Sequence, residues 1–274
     1  MTISPRPRRT PEELVRRAQE AMLRDDFHDA EAYGRRALML NPDSLPARHV
    51  VAGAVIEQGR FEEASEILEE IVAVDPDDLP ALADLGSCLY EICEFEDAQS
   101  VLSRALEIDP LDAQANYWMA LCSERGGHMG RADDYFRRAA QRDPEAYPTP
   151  LRMSRDEFDR AVSEAMESVP EPCRRALAGL AIATTDLPRE ADLMEYTPPL
   201  DPCVFGLYVG VPLSERSPSD VPKLPDVIFL YQRNLERLCR DRETVVGEIK
   251  ETLIHEIGIY LGCDESELVE RGLA

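Results

Sequence analysis

Lysine is almost absent from this sequence: 274 residues hold only Lys223 and Lys250, and histidine occurs four times. No apolar run approaches the roughly 18 residues that a membrane span needs. Met1 to Thr10 carries arginines with no apolar stretch behind them, so it reads as a short disordered arm and not as a secretory signal. No CxxC pair occurs. The seven cysteines are an odd number and mostly sit beside apolar neighbours, as in Gly86-Ser87-Cys88-Leu89, which points to small buried thiols. These absences together predict a reducing, cytoplasmic setting. There is also no P-loop, no dinucleotide-binding glycine pattern and no Ser-His-Asp set.

Acidic residues are plentiful. The net charge is −24, and the excess is concentrated: from Glu57 to Asp112 there are 17 acidic residues against two basic ones, Arg60 and Arg104. Such a surface repels phosphate backbones and anionic lipid, which argues against nucleic-acid or membrane partners. It either solvates the protein or docks a basic segment.

The first half repeats itself. Asn41-Pro42, Asp75-Pro76, Asp109-Pro110 and Asp143-Pro144 recur every 34 residues. Alanines keep the same step at Ala30, Ala64, Ala98 and Ala132, and large apolar residues at Phe27, Phe61, Phe95 and Met129. Ala37, Ala105 and Ala139 form a further column, broken once by Ile71. Alanine lets two antiparallel helices approach closely, and proline cannot continue a helix, so each copy predicts a helical hairpin closed by its proline. Gly59 and Gly127 fall in the turns between paired helices.

Period and pattern resemble the tetratricopeptide repeat over about residues 11–144, which implies four repeats stacked as a solenoid in a domain of residues 11–146. The third copy keeps the Leu85-Gly86 pair of that motif, and the first copy is the most worn. The resemblance implies a protein or peptide partner held along the concave face lined by the first helix of each pair. Placed on the repeat, that face includes His49, Ile56 and Glu57, then Ala83, Tyr90 and Glu91, then Tyr117, Leu121, Glu124 and Arg125. Tyr90, Glu91, Tyr117, Leu121 and Glu124 are the candidate peptide-binding residues. The lysines and asparagines of a carboxylate clamp are missing, so an apolar or basic ligand fits better. The array could equally be a scaffold folded against its own second domain.

Residues 147–153, with Tyr147-Pro148-Thr149-Pro150, read as a linker. Ser154 then opens a helix, with Glu157 completing a capping box, and Pro170 and Pro172 end it. Leu177–Thr184, Val204–Val209 and Val227–Tyr231 are candidate strands. Leu187–Pro202 is a Pro- and acid-rich loop. Arg242–Leu261 predicts a long helix with Val245, Ile249, Leu253 and Ile257 on one face and Gly262 as its cap. Helix, strands and helix make a small α+β domain over 154–274.

That last helix contains His255-Glu256-Ile257-Gly258-Ile259. In the zinc motif H-E-x-x-H two histidines one turn apart hold the metal and the glutamate activates its water. Here Ile259 stands where the second histidine would be, and isoleucine has no lone pair. Phe205–Leu213, Leu224–Tyr231 and Glu251–Gly258 nevertheless make residues 154–274 resemble a family of minimal bacterial zincin-like metallopeptidases. The resemblance implies a zincin-like fold, a zinc cofactor, His255 and Glu265 as metal ligands and Glu256 as general base. Gly262 and Glu265 match the family's spacing after the motif, and Asp264 is an adjacent candidate. Cys263 could supply a thiolate only if the chain folded back after Gly262. Two functions follow. One is a zincin-like protein in which zinc-dependent peptide hydrolysis is impaired or lost. The other is an active zinc peptidase with a non-standard ligand set, the repeats recruiting its substrate.

Overall fold

The computed structural model describes residues 10–216 and 226–263. Asp264, Glu265 and the expected N-terminal arm up to residue 9 lie outside the described residues. The chain divides into two compact units, Met1–Tyr147 and Pro148–Ala274. Among the described residues no helix is long and apolar enough to cross a membrane.

Among the described residues the first unit is a helical-repeat array of eight helices: α1 Pro11–Met22, α2 Phe27–Leu40, α3 Leu45–Ile56, α4 Phe61–Val74, α5 Leu79–Glu91, α6 Phe95–Ile108, α7 Ala113–Arg125 and α8 Met129–Arg142. Every first helix starts on a side-chain cap. Thr10, Ser44, Asp78 and Asp112 each accept the backbone N–H three residues on. The cap satisfies a donor that the helix leaves open, and in α1, α3 and α5 a proline fills a first-turn position that needs no donor. Asn41, Asp75, Asp109 and Asp143 end the second helices just before the repeated prolines.

Between paired helices one residue must turn left-handed, and that position also keeps the 34-residue step: Asp25 (φ 57°), Gly59 (71°), Cys93 (66°) and Gly127 (73°). Only glycine takes this conformation without a Cβ penalty. The alanine columns do what their size allows: Ala30, Ala64, Ala98, Ala132, Ala37, Ala105 and Ala139 are all fully buried.

Repeats one and two are also joined electrostatically. Glu31 accepts hydrogen bonds from Arg35 Nε at 2.7 Å, Arg60 Nη1 at 2.7 Å and Gln58 Nε2 at 2.9 Å. Glu63 bonds to the same two arginines.

The second unit holds α9 Arg155–Ser168, α10 Glu171–Leu177, β1 Ala181–Thr185, α11 Glu190–Leu193, β2 Gly206–Val209, a 3₁₀ turn at Leu213–Glu215, β3 Val227–Tyr231, α12 Gln232–Leu238 and α13 Arg242–Leu261. The sheet order is β1-β3-β2. β1 runs parallel to β3 with Ala181 opposite Val227, and β2 runs antiparallel with Gly206 opposite Leu230. The Ser154–Glu157 capping box forms in full. Phe158, Ala161 and Ala165 of α9, Ile228 and Leu230 of β3, and Val245, Ile249, Leu253 and Ile257 of α13 make one buried cluster. Each larger side chain there contributes about 1.5–3 kcal/mol by leaving water.

The expected strand Leu177–Thr184 is corrected. Its start is the end of α10, which begins on the prolines read as stops, with a proline in its first turn. Glu236 of α12 is fully buried; its Oε1 accepts from Met153 N at 3.0 Å and Gln232 Nε2 at 2.7 Å, while its Oε2 accepts from Arg233 Nη1 at 2.7 Å. These bonds tie the residues before α9 to α12. No disulfide joins the seven cysteines; five are buried, and Cys203 and Cys263 are half-buried.

The Glu31 network makes a pH prediction. Burial alone would raise this carboxyl, but hydrogen bonds from Arg35, Gln58 and Arg60 outweigh it and hold the group at about 2. A depressed carboxylate stabilises the fold above its unfolded value and loses that contribution as pH falls through the folded one. Glu31→Gln should therefore lower stability at neutral pH by about 1–3 kcal/mol. In thermal melts the gap from the parent should close as pH falls to about 2. A gap that stays constant with pH would contradict this account.

A candidate peptidase-type site on α13

Asp241 caps α13, accepting from Thr244 N at 2.9 Å, and Gly262 ends it in the left-handed conformation (φ 71°). Cys263 N returns to Gly258 O at 2.9 Å and Gly262 N to Ile259 O at 3.0 Å, which closes the last turn. The buried face of the helix carries Val245, Ile249, Leu253 and Ile257.

α13 lies directly against β2, and the absence of a side chain at Gly206 permits it. A Cβ there would stand 2.6 Å from Thr252 Cγ2, 3.1 Å from Phe229 O and 3.4 Å from Glu256 Cγ. At this separation Glu256 Oε2 accepts the backbone N–H of Tyr208 at 2.7 Å. Tyr231 N donates to Phe205 O at 2.9 Å, so 205–231 is a bonded pair of the antiparallel ladder. The alternation of such a ladder then turns the N–H of Tyr208 away from β3, toward the open edge of the sheet. Glu256 closes that group. The carboxylate is only 5% exposed. Burial pushes it above the usual carboxylate range, opposed in part by the Tyr208 N–H and by neighbouring His255.

His255 is exposed and Ile259, one turn later, is 41% exposed. Residues four apart share a helix face, so the two stand together on the solvent side of α13 while Glu256 faces the strand. The candidate ligand Glu265 lies outside the described residues. Cys263 packs at the rim of the buried cluster.

A polar network missed by sequence reasoning holds the far end of β2. Tyr208 Oη donates to Asp226 Oδ1 (2.8 Å) and also approaches Val211 O (3.0 Å). Arg216 Nη2 donates to Asp226 at 2.6 Å and its Nε to Val211 O at 2.8 Å. Tyr260 of α13 packs edge-on against Tyr208 at 5.7 Å. Burial first, then Asp226, pushes the Tyr208 phenol up to about 12. Burial tends to raise Asp226, but Arg216 and Tyr208 bring it below its ordinary value. The sequence signal was weak, since Arg216 and Asp226 are ten residues apart and look like ordinary surface charges.

A catalytic zinc does not fit the described donors. Three protein ligands are the usual minimum. Ile259 offers none, and among the described residues no set of three His, Cys, Asp or Glu donors converges on His255.

In the first unit Tyr90, Leu121 and Glu124 are buried, and Glu91 and Tyr117 are half-buried. The Tyr90 ring packs on Phe95 (5.1 Å) and Trp118 (5.5 Å), and Tyr117 on Trp118, Phe136 and Tyr147.

Fold and site thus define a helical-repeat protein joined to a domain with a metallopeptidase-type helix. Family models agree: residues 21–87 and 68–122 match the tetratricopeptide repeat, and residues 177–273 match the zincin-like metallopeptidases. The chain combines tetratricopeptide repeats with a zincin-like metallopeptidase-family domain. Solved structures similar to part of it include a crystal structure of MamA (22% identity, 46% of this chain and 74% of that one, TM-score 0.43). Another is MamA 41-end from Desulfovibrio magneticus RS-1 (20% identity, 48% and 74%, TM-score 0.45). No curated protein matches the chain.

The Glu256 contact can be tested by substitution. Glu256→Ala leaves the Tyr208 N–H without its partner and should cost about 1–3 kcal/mol. Glu256→Gln keeps an acceptor and removes the cost of burying a charge, so its melting temperature at neutral pH should equal or exceed the parent's. A Gln variant as unstable as the Ala variant would show that the carboxylate is not acting through this bond.

Proposed function

We propose that the chain is a partner-binding protein: the repeats recruit a protein or peptide segment, and the zincin-like domain has impaired or lost zinc-dependent peptide hydrolysis. The observation that carries this reading is the pair His255 and Ile259, one turn apart on the exposed side of α13. The second position of a two-imidazole zinc clamp is aliphatic, which leaves His255 and the candidate Glu265 as ligands. That is one fewer than a catalytic zinc site uses. Glu256 supports the same conclusion. A general base has to reach the proton it removes, whereas this carboxylate is buried and engaged with the Tyr208 N–H.

Recruitment is assigned to the first-helix face of the repeats, with the half-buried Glu91 and Tyr117 as candidate contacts; Tyr90, Leu121 and Glu124, expected as contacts from the sequence, are buried and shape that face from beneath. A net charge of −24 opposes nucleic acid and anionic membranes as partners.

Zinc titration by calorimetry tests the central point. The parent should bind zinc weakly. Ile259→His restores the i, i+4 imidazole pair and should tighten binding by at least about tenfold, since it supplies the missing third ligand. Tight stoichiometric binding by the parent would sink the impaired-site reading. No gain in the variant would mean that α13 does not present these positions as a zincin helix does.

A further inference from the structure

The second helix of each of the first three repeats ends on an apolar residue that faces solvent. Leu40 is 56% exposed, Val74 63% and Ile108 42%. They stand 34 positions apart, so in a stack of like repeats they form one row along the array. The interior does not need them, because Ala37, Leu68, Ile71, Leu102 and Ala105 of the same helices are fully buried and fill it. Met39 and Leu111, both exposed, widen the row. At the fourth repeat it stops, and the equivalent residue is Arg142. A lone exposed apolar side chain needs no explanation, but the same exposure at the equivalent place of three successive repeats makes a periodic line of apolar side chains that a single segment can follow.

The surroundings of the row are mainly acidic, although Glu70 is paired with Arg48 at 3.2 Å. Within four positions of Leu40, Val74 and Ile108 stand eight acidic residues and two basic ones, Arg36 and Arg104. Arg104 is itself engaged, donating to Pro76 O at 3.0 Å. Asp43, Asp75, Asp77 and Glu107 are exposed beside the row. A partner that covers it must bring apolar side chains and also offset this charge, because carboxylates next to a closing interface repel an acidic surface and lose hydration uncompensated against a neutral one.

We propose that the row Leu40–Val74–Ile108 is a docking surface for a basic segment of a partner protein, whose apolar side chains cover the row while its lysines or arginines meet the acidic rim. The surface lies at the ends of the second helices, whereas the recruitment face assigned above is built from the first helices. The proposal extends the partner-binding reading and is independent of the zincin-like domain.

Two synthetic helical peptides probe it by fluorescence anisotropy on the full chain. One repeats leucine at every third and fourth position with lysine between; its twin has glutamate in place of lysine. The lysine peptide should bind and the glutamate twin should not. The triple variant L40S/V74S/I108S should weaken the lysine peptide by about tenfold or more, since each removed side chain forfeits its apolar contact area. Leu23→Ser, 87% exposed and off the row, should leave affinity unchanged. If circular dichroism shows the serine variant misfolded, L40A/V74A/I108A replaces it, alanine being the best helix former.

Unchanged affinity in the row variant would reduce binding to general attraction by a −24 chain and overturn the proposal. Loss of binding in Tyr117→Ala, with the row variant unaffected, would place the peptide on the first-helix face and also overturn it. So would sedimentation showing a parent dimer that the row variant dissolves, because the occupant would then be a second copy.

Discussion

The second unit is organised by how closely α13 approaches β2. Gly206 removes the one side chain that would hold them apart, and Glu256 reaches the Tyr208 N–H only because of it. Turning Glu256 inward also fixes the helix about its axis. Successive residues advance about 100°, so burying position 256 turns 255 and 259 together toward solvent. The exposed His255–Ile259 pair and the buried carboxylate are therefore two results of one contact. Within this frame an aliphatic side chain at 259 leaves the packing undisturbed, because a substitution at an exposed position away from the core costs the fold little.

The repeat array depends on different physics. Each hairpin closes on a single left-handed residue, and each pair of helices packs through alanines too small to separate them. Where glycine is absent from the left-handed position, at Asp25 and Cys93, the turn still forms. The caps and alanine contacts of a repeat thus outweigh a local penalty of about 1–2 kcal/mol. The Glu31–Arg35–Arg60–Glu63 group adds a polar seam between the first two repeats, where the motif is most worn.

Legibility in the sequence followed the range of the interaction. The array was readable because one constraint repeats every 34 residues, and α13 and β3 because each has an unbroken apolar pattern that agrees with its caps. α10 was misread because Pro170 and Pro172 signal a stop and an equally good start; only packing decides between them. α12 follows β3 with no intervening loop and so left no punctuation. The site was half legible. The His255–Ile259 spacing could be read directly. The burial of Glu256, and the Tyr208–Asp226–Arg216 network, depend on partners 48, 18 and 10 residues away. No local pattern encodes those pairings.

The bond between Glu256 and Tyr208 has a consequence for colloidal behaviour. β2 is an outer strand of a three-stranded sheet, and an outer strand offers unpaired backbone donors to any extended chain that meets it. A carboxylate at the middle of that strand occupies one of those donors and sets a negative charge beside the rest. Registration of a foreign strand would require displacing a side chain anchored on a twenty-residue helix. Among the described residues, a strand meeting this edge would therefore find one backbone donor already taken and a buried carboxyl group beside it.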